Sequence, residues 1–395
     1  MWTADPADSI ISLLQALVRT PSRAGVDSMA AVVQVMHEWL KTRSLPVRRL
    51  GASDGPVLGL YAEVRGQRDG PWIVINAPLD TAGFGDEQTW HEAPTSGDCK
   101  DGWLNGRGSA DSKAGAALFA HLLHEFANQG DALGGRLGVL FDVDEHTGGF
   151  GGARAFFEHG FEGDAPPRPD GVYIGYPGPD RIMTGGRGFL RARVVVHGVA
   201  AHSGATRRRG LNALSHAAAL VSALATEALP EADADFGLPP QLTCTGLVAG
   251  DGGYGQVPDR AELRLDIRLT PRFDDAQARA LVIALVQRQD LLHADSPASQ
   301  IDWVPGWPAY RIPDAHPLVR ALRDAARADS GIELPTAVAG PSNIGNYLAA
   351  LGVDALCGYG VRGEGMHAAN ERIALDSLMP VYRVYREALH RLQSR

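Results

Sequence analysis

Four loops in this chain carry carboxylates and imidazoles directly after stretches that read as buried strands. They are residues 76–80 (Asn-Ala-Pro-Leu-Asp), residues 106–115 around Asp111, residues 142–149 around Asp144, Glu145 and His146, and residues 363–371 around His367. In an open α/β sheet the ligand crevice lies at the carboxyl ends of the strands, so such loops can converge. Asp111, His146 and His367 together offer one carboxylate and two imidazoles, an adequate set for a catalytic zinc with an open position. Glu145 cannot point the same way as His146 along extended chain. In a turn it can reach a metal-bound water, take its proton and hand it to a leaving nitrogen. Each residue also has an ordinary alternative: Asp111 capping the helix that opens at Lys113, Glu145 solvating a turn, His367 as a surface histidine.

The elements that must position these loops follow from hydrophobic patterning. Helical periodicity covers residues 10–18, 29–40, 114–126 and 150–157, and strand-like runs cover 57–64, 72–76, 137–143 and 172–175. Strands that are almost wholly apolar, alternating with helices, predict an α/β domain with a mixed, largely parallel sheet. From Gly188 the pattern changes. Strands at 189–197, 242–247, 261–269 and 301–304 with helices at 212–228 and 274–286 give the order β-α-β-β-α-β, a split βαβ module. Helices at 316–328 and 370–390 and a strand at 355–358 then restore the α/β character. The expected organisation is a discontinuous domain, residues 1–187 and 306–395, interrupted by an α+β insert at 188–305.

The chain has 395 residues, 45% of them hydrophobic and 21% charged, enough to bury a substantial core. Its formal net charge of −9 argues against nucleic acid or an anionic membrane as the main partner, since both favour a basic face. No apolar run is long enough to cross a bilayer, and the first residues lack the basic and apolar regions of a secretory leader. Three widely spaced cysteines match no zinc-finger spacing and fit a reducing compartment, so a cytoplasmic protein is expected.

These segments, with Gly198–Gly204 around His202, make the chain resemble the M20 family of metallopeptidases and aminoacylases over nearly its whole length. The resemblance implies a catalytic zinc-peptidase-like α/β domain and a ferredoxin-like lid, the insert, through which members commonly dimerise; assemblies larger than a dimer stay open. It implies hydrolysis of a C–N bond in a small substrate, one expected to bear a carboxylate. Family members bind two metals, and here the pattern departs from theirs. Pro78 stands where the first metal histidine belongs, and Tyr176 replaces the carboxylate of a Gly-Glu-Pro segment. His146 stands where a carboxylate follows the catalytic Glu. One site is therefore lost and the other kept, with Asp111, His146 and His367 holding one divalent ion. Zinc is favoured, with manganese or iron(II) as alternatives.

The same resemblance gives Glu145 the role of general base and Asp80 that of orienting the centre. His202 becomes the residue that reaches across the dimer to the scissile group. Tyr176, Arg268, Asn343 and Gly255 fall at substrate-pocket positions, the last two where relatives carry aspartate and asparagine. Three functions follow: amide hydrolysis of an N-acyl amino acid or dipeptide; hydrolytic deamination of a small aromatic amino acid-like compound, such as a nitroaromatic amine, against whose ring Tyr176 could stack; and non-catalytic binding.

Overall fold

The computed structural model describes residues 6–51, 55–129, 134–160, 168–207, 209–250 and 252–393. The chain divides into two compact units. Unit one comprises the described residues of Met1–Gly185, Ile312–Ala339 and Asn343–Arg395, and unit two those of Gly186–Arg311 and Gly340–Ser342.

Unit one is built on a six-stranded sheet. Its first five strands in chain order are β1 (Val47–Leu50), β2 (Gly59–Arg65), β3 (Arg68–Asn76), β4 (Gly134–Asp142) and β5 (Gly171–Ile174). The spatial order is β1-β2-β4-β3-β5, with Ala355–Leu356 added at the far edge. β1–β2 and β2–β4 are antiparallel, whereas β4–β3, β3–β5 and β5 with Ala355–Leu356 are parallel. The sheet is thus mixed, and parallel through its centre. The run Trp72–Asn76 is buried throughout, as a central strand covered on both faces must be.

Among the covering helices, α1 (Pro6–Val18), α2 (Ala30–Lys41), α3 (Ala114–Ala127) and α4 (Gly151–His159) precede unit two in the chain. α3 has the sequence AGAALFAHLLHEFA and is buried on nearly every side, the mark of a helix inside the core rather than on its surface. It lies against the end of β5 so closely that a Cβ on Gly115 would sit 2.3 Å from the Gly175 carbonyl oxygen. Only glycine permits that approach, which brings the Asp111 loop and Tyr176 to the same end of the sheet.

The expected helix over residues 370–390 is shorter in the structure. It runs Leu378–Gln393, preceded by a strand at Arg372–Ala374 that pairs antiparallel with Trp103–Asn105 and by a 3-10 turn at Leu375–Ser377. Asn370 has φ 62°, a left-handed turn that a helix cannot pass through. That hairpin-like pairing ties the His367 loop to the Asp111 loop.

Unit two contains four antiparallel strands, Gly188–His197, Gln241–Ala249, Arg260–Leu269 and Gln300–Trp307, with helices Ala213–Thr226 and Asp275–Leu291 between them in the split βαβ order. The helices and one sheet face enclose a core of their own, including Leu190, Val194, Leu220, Leu263, Ile267 and Val282. Ion pairs link the strands, among them Arg193 with Glu262 (2.6 Å) and Asp302 (3.0 Å). Among the described residues no helix is long and apolar enough to cross a membrane.

Candidate metal centre and active site

The Asp111 loop is organised by a residue from far along the chain. Glu371 is buried, and its Oε1 accepts the Ala110 and Asp111 N–H groups at 2.9 and 3.0 Å. Its Oε2 accepts the Gly108 N–H at 3.0 Å and the Arg107 guanidinium at 2.8 Å. Arg107 also donates to the Ala368 carbonyl at 2.8 Å, so one buried ion pair binds the Asp111 loop to the His367 loop. The Asp111–Ser112 peptide is cis.

Asp80 organises the Glu145–His146 turn in the same way. It is fully buried and accepts the Glu145 N–H at 3.2 Å and the His146 N–H at 3.0 Å. Asp144, at φ 71°, accepts the Gly151 N–H at 3.2 Å and the Thr147 hydroxyl. This left-handed corner lets consecutive side chains, Glu145 and His146, serve one centre.

At that centre Asp111 Oδ2 lies 3.0 Å from His367 Nε2 and 3.7 Å from His146 Nε2, and the two imidazole rings are 5.4 Å apart. Among the described residues Asp111, His146 and His367 are the one set of three whose ligand atoms all fall within 4.8 Å of each other. His146 Nδ1 is 3.4 Å from Asp80 and 3.3 Å from Glu145 Oε2, yet neither of its ring nitrogens makes a hydrogen bond of good geometry. Asp111 Oδ1 is likewise buried without a partner. Orphaned ligand atoms on one carboxylate and one imidazole, with His367 63% exposed beside them, fit a divalent cation with an open side.

The electrostatics agree with that fit. Burial alone would raise the Asp111 carboxyl, but the His146 and His367 imidazoles outweigh it and hold Asp111 well below the usual carboxylate range. Burial disfavours a charged His146, but Asp111, Asp80 and Glu145 outweigh it and raise the imidazole to about 11. His146 would have to give up that proton to act as a ligand, so uptake of an ion there would release protons. Glu145 is pushed up to about 8, chiefly by burial and then by Asp111 and Asp80, against the opposing pull of His146 and Tyr176. The Tyr176 hydroxyl donates to Glu145 Oε1 at 2.5 Å; burial and the adjacent Glu145 hold the phenol well above its ordinary value, so it stays protonated.

Other expected site residues fall as follows. Pro78 sits between Ala77 and Leu79, whose N–H groups bond to Leu140 and Asp142 of the neighbouring strand. Asn343 caps the short helix Ile344–Ala350: Oδ1 accepts the Gly345 N–H and Nδ2 donates to Cys357 Sγ, both at 2.8 Å. Its amide is thus engaged inside unit one. In unit two His202 is exposed on a two-residue ribbon with Gln256–Val257, and its Nδ1 accepts the Gly204 N–H at 3.0 Å. The Gly255 carbonyl accepts the Ser203 N–H. Arg268 pairs with Asp266 at 2.7 Å and donates to Ser342 Oγ at 3.3 Å. Asp80, Asp111, Glu145, His146, Tyr176 and His367 all belong to unit one.

Patterning assigns no role to Arg107, Glu371 or Lys113. Lys113 is buried with Nζ donating to the Leu17 and Thr20 carbonyls at 2.9 and 3.0 Å, anchoring the end of α1 beneath the Asp111 loop. The one available signal was a charged residue at 107 and 113 in an otherwise small, glycine-rich loop.

Asp142, at the end of β4, offers a pH test independent of the metal ligands. It is fully buried and accepts Asn76 Nδ2 at 2.7 Å, while Oδ2 has no partner. Burial pushes its carboxyl from 3.8 up to about 7, with Asn76 opposing and the Asp80 charge adding to the rise. A raised folded value means the native state keeps a proton that the unfolded chain has lost. The contribution to stability is therefore full below the unfolded value and falls away as pH rises to about 7. Asp142→Asn is expected to unfold like the unaltered protein at acid pH. At pH 8 it should be more stable by up to about 4 kcal/mol. Thermal unfolding across that range checks this, and an equal offset at every pH would refute it.

A model of the peptidase family M20/M25/M40 matches residues 74–391. A succinyl-diaminopimelate desuccinylase of Cupriavidus taiwanensis is 26% identical, over 87% of this chain and 88% of its own. Among solved structures, a tripeptidase of Staphylococcus aureus superposes with a TM-score of 0.79 at 18% identity, covering 98% of this chain and 99% of its own. The Bacillus subtilis YXEP protein, a dinuclear metal-binding peptidase, gives a TM-score of 0.68 at 17% identity over 98% and 99%.

Proposed function

This chain belongs to peptidase family M20/M25/M40, and on that premise we propose that it hydrolyses the amide C–N bond of a small N-acyl amino acid or dipeptide at a centre holding one divalent ion. The observation that carries the reading is the convergence of Asp111, His146 and His367 within 4.8 Å, with buried Glu145 beside His146. Those three residues would hold the ion, zinc first, with manganese or iron(II) as alternatives; when bound it supplies Lewis acidity toward water and the scissile carbonyl.

The chain's own residues do the rest. Tyr176 engages Glu145 Oε1, which leaves Oε2 to accept the proton of the attacking water and return it to the leaving nitrogen. Asp80 fixes the backbone of Glu145 and His146, so base and ligand keep one relative geometry. In unit two we assign His202 to the developing oxyanion, across a homodimer built through that unit, and Arg268 to a substrate carboxylate. Gly255, whose carbonyl accepts the Ser203 N–H, leaves room beside His202. Asn343 we keep as a substrate-pocket position, one whose amide also caps the helix Ile344–Ala350. The setting proposed is the cytoplasm.

A second reading, hydrolytic removal of an amino group from a small aromatic amino acid-like compound, is favoured by Tyr176, a partly exposed ring next to the base. The test is one panel of N-acetyl and N-succinyl amino acids, dipeptides and aromatic amines, incubated with protein loaded separately with zinc, manganese or iron(II). Turnover of acylated amino acids or dipeptides is expected. Ammonia release from the aromatic amines alone would install the second reading, and an ion-loaded protein inert to all would favour a binding role.

A further inference from the structure

Asp111 turns Oδ2 toward both imidazoles, while Oδ1 is buried with no hydrogen-bond partner. Oxygen left over on a metal-binding carboxylate invites a second cation, and the other groups around Asp111 decide whether one can bind. Glu145 is a carboxylate in the right neighbourhood, but its Oε1 accepts the Tyr176 hydroxyl at 2.5 Å and its Oε2 is 3.3 Å from His146 Nδ1. Tyr176 lies within electrostatic reach of Asp111 as well. A protonated phenol is a donor toward carboxylates and a poor cation ligand. Pro78, two residues before Asp80, has no side-chain lone pair to offer.

Resting on the one-ion reading above, we propose that Tyr176 holds this centre to a single ion: its hydroxyl ties down the free end of Glu145 and puts a proton donor where a ligand next to Asp111 would complete a second cation site. The residue is a positioning group, and its effect is read in metal stoichiometry rather than turnover.

The experiment saturates the full-length protein with Mn²⁺ or Zn²⁺, removes free ion and counts metal by elemental analysis, alongside Tyr176→Glu, Tyr176→His and Asp111→Asn. Either Tyr176 variant places a ligand beside Glu145 and within electrostatic reach of Asp111, and each is expected to gain a second equivalent over the unaltered protein. The metal-free Tyr176→Glu protein is also expected to melt lower, because three carboxylates then crowd one site, and to recover when Mn²⁺ is added. A second equivalent in the unaltered protein, or none gained by variants that fold, overturns the role given to Tyr176 and leaves the hydrolase reading standing. Retention of the ion by Asp111→Asn instead overturns the ligand set. Electron paramagnetic resonance of the unaltered Mn²⁺ protein decides the matter if neither Tyr176 variant folds: uncoupled single-ion spectra support the proposal, and a spin-coupled pair refutes it.

Discussion

Glu145→Gln is expected to lower kcat by about a thousandfold, the range that a positioned general base contributes. The substitution is nearly isosteric. The glutamine oxygen can still accept the Tyr176 hydroxyl that now bonds to Oε1, and the backbone N–H remains on Asp80. What is lost is the basic oxygen beside His146. Since Glu145 is outside the ligand trio, the ion should stay bound, so kcat on the best substrate of the panel should fall while metal content does not. Activity within about tenfold of the unaltered enzyme would remove Glu145 from the proton-transfer role.

The largest expected effect on stability comes from Arg107→Met. Arg107 and Glu371 are both buried, and the guanidinium is the cation that neutralises a carboxylate whose value burial already raises. Removing one partner of such a pair costs about 3–5 kcal/mol, because the other charge is left behind without compensation. Glu371 then takes up a proton or draws in water, and in either case its hold on the Gly108, Ala110 and Asp111 N–H groups weakens. Thermal unfolding should show the loss, and ion retention should fall with it. The double variant Arg107→Met/Glu371→Gln is expected to be milder than the sum of its parts, since it no longer buries a lone charge. If Arg107→Met melts within a degree or two of the unaltered protein, the ion pair is not what holds the two loops together.

The α/β reading of the sequence holds because the signal was strong. A run such as Trp72–Asn76 can only be an interior strand of a covered, largely parallel sheet, and the nearly all-apolar α3 only a helix buried against it. Asp111, His146 and His367 stood out because each occupies a loop after a strand, where glycines permit unusual turns. The manner of their convergence was less legible. That Glu145 and His146 serve one centre depends on the left-handed φ of Asp144, and no periodicity announces a single residue's dihedral angle. The helix expected from residue 370 failed at Asn370 for the same reason. Glu371 was invisible as an organiser because its partner Arg107 is 264 residues away, and patterning reads neighbours, not contacts across the chain. Asn343 entered as a pocket position through the family resemblance, and its role as the cap of Ile344–Ala350 is a local hydrogen-bond pattern that the resemblance does not announce.

The discontinuity of unit one bears on when the protein becomes competent. Asp111 and His146 precede unit two in the chain and His367 follows it. As the polypeptide leaves the ribosome, unit two is complete, and free to fold, before the last strand of the unit-one sheet or either half of the Arg107–Glu371 clasp has its partner. The nascent chain therefore carries an incomplete ligand set for most of its synthesis. On the proposed ligand trio, an ion supplied during translation would find two ligands and little reason to stay, and the same ion supplied after release would find three.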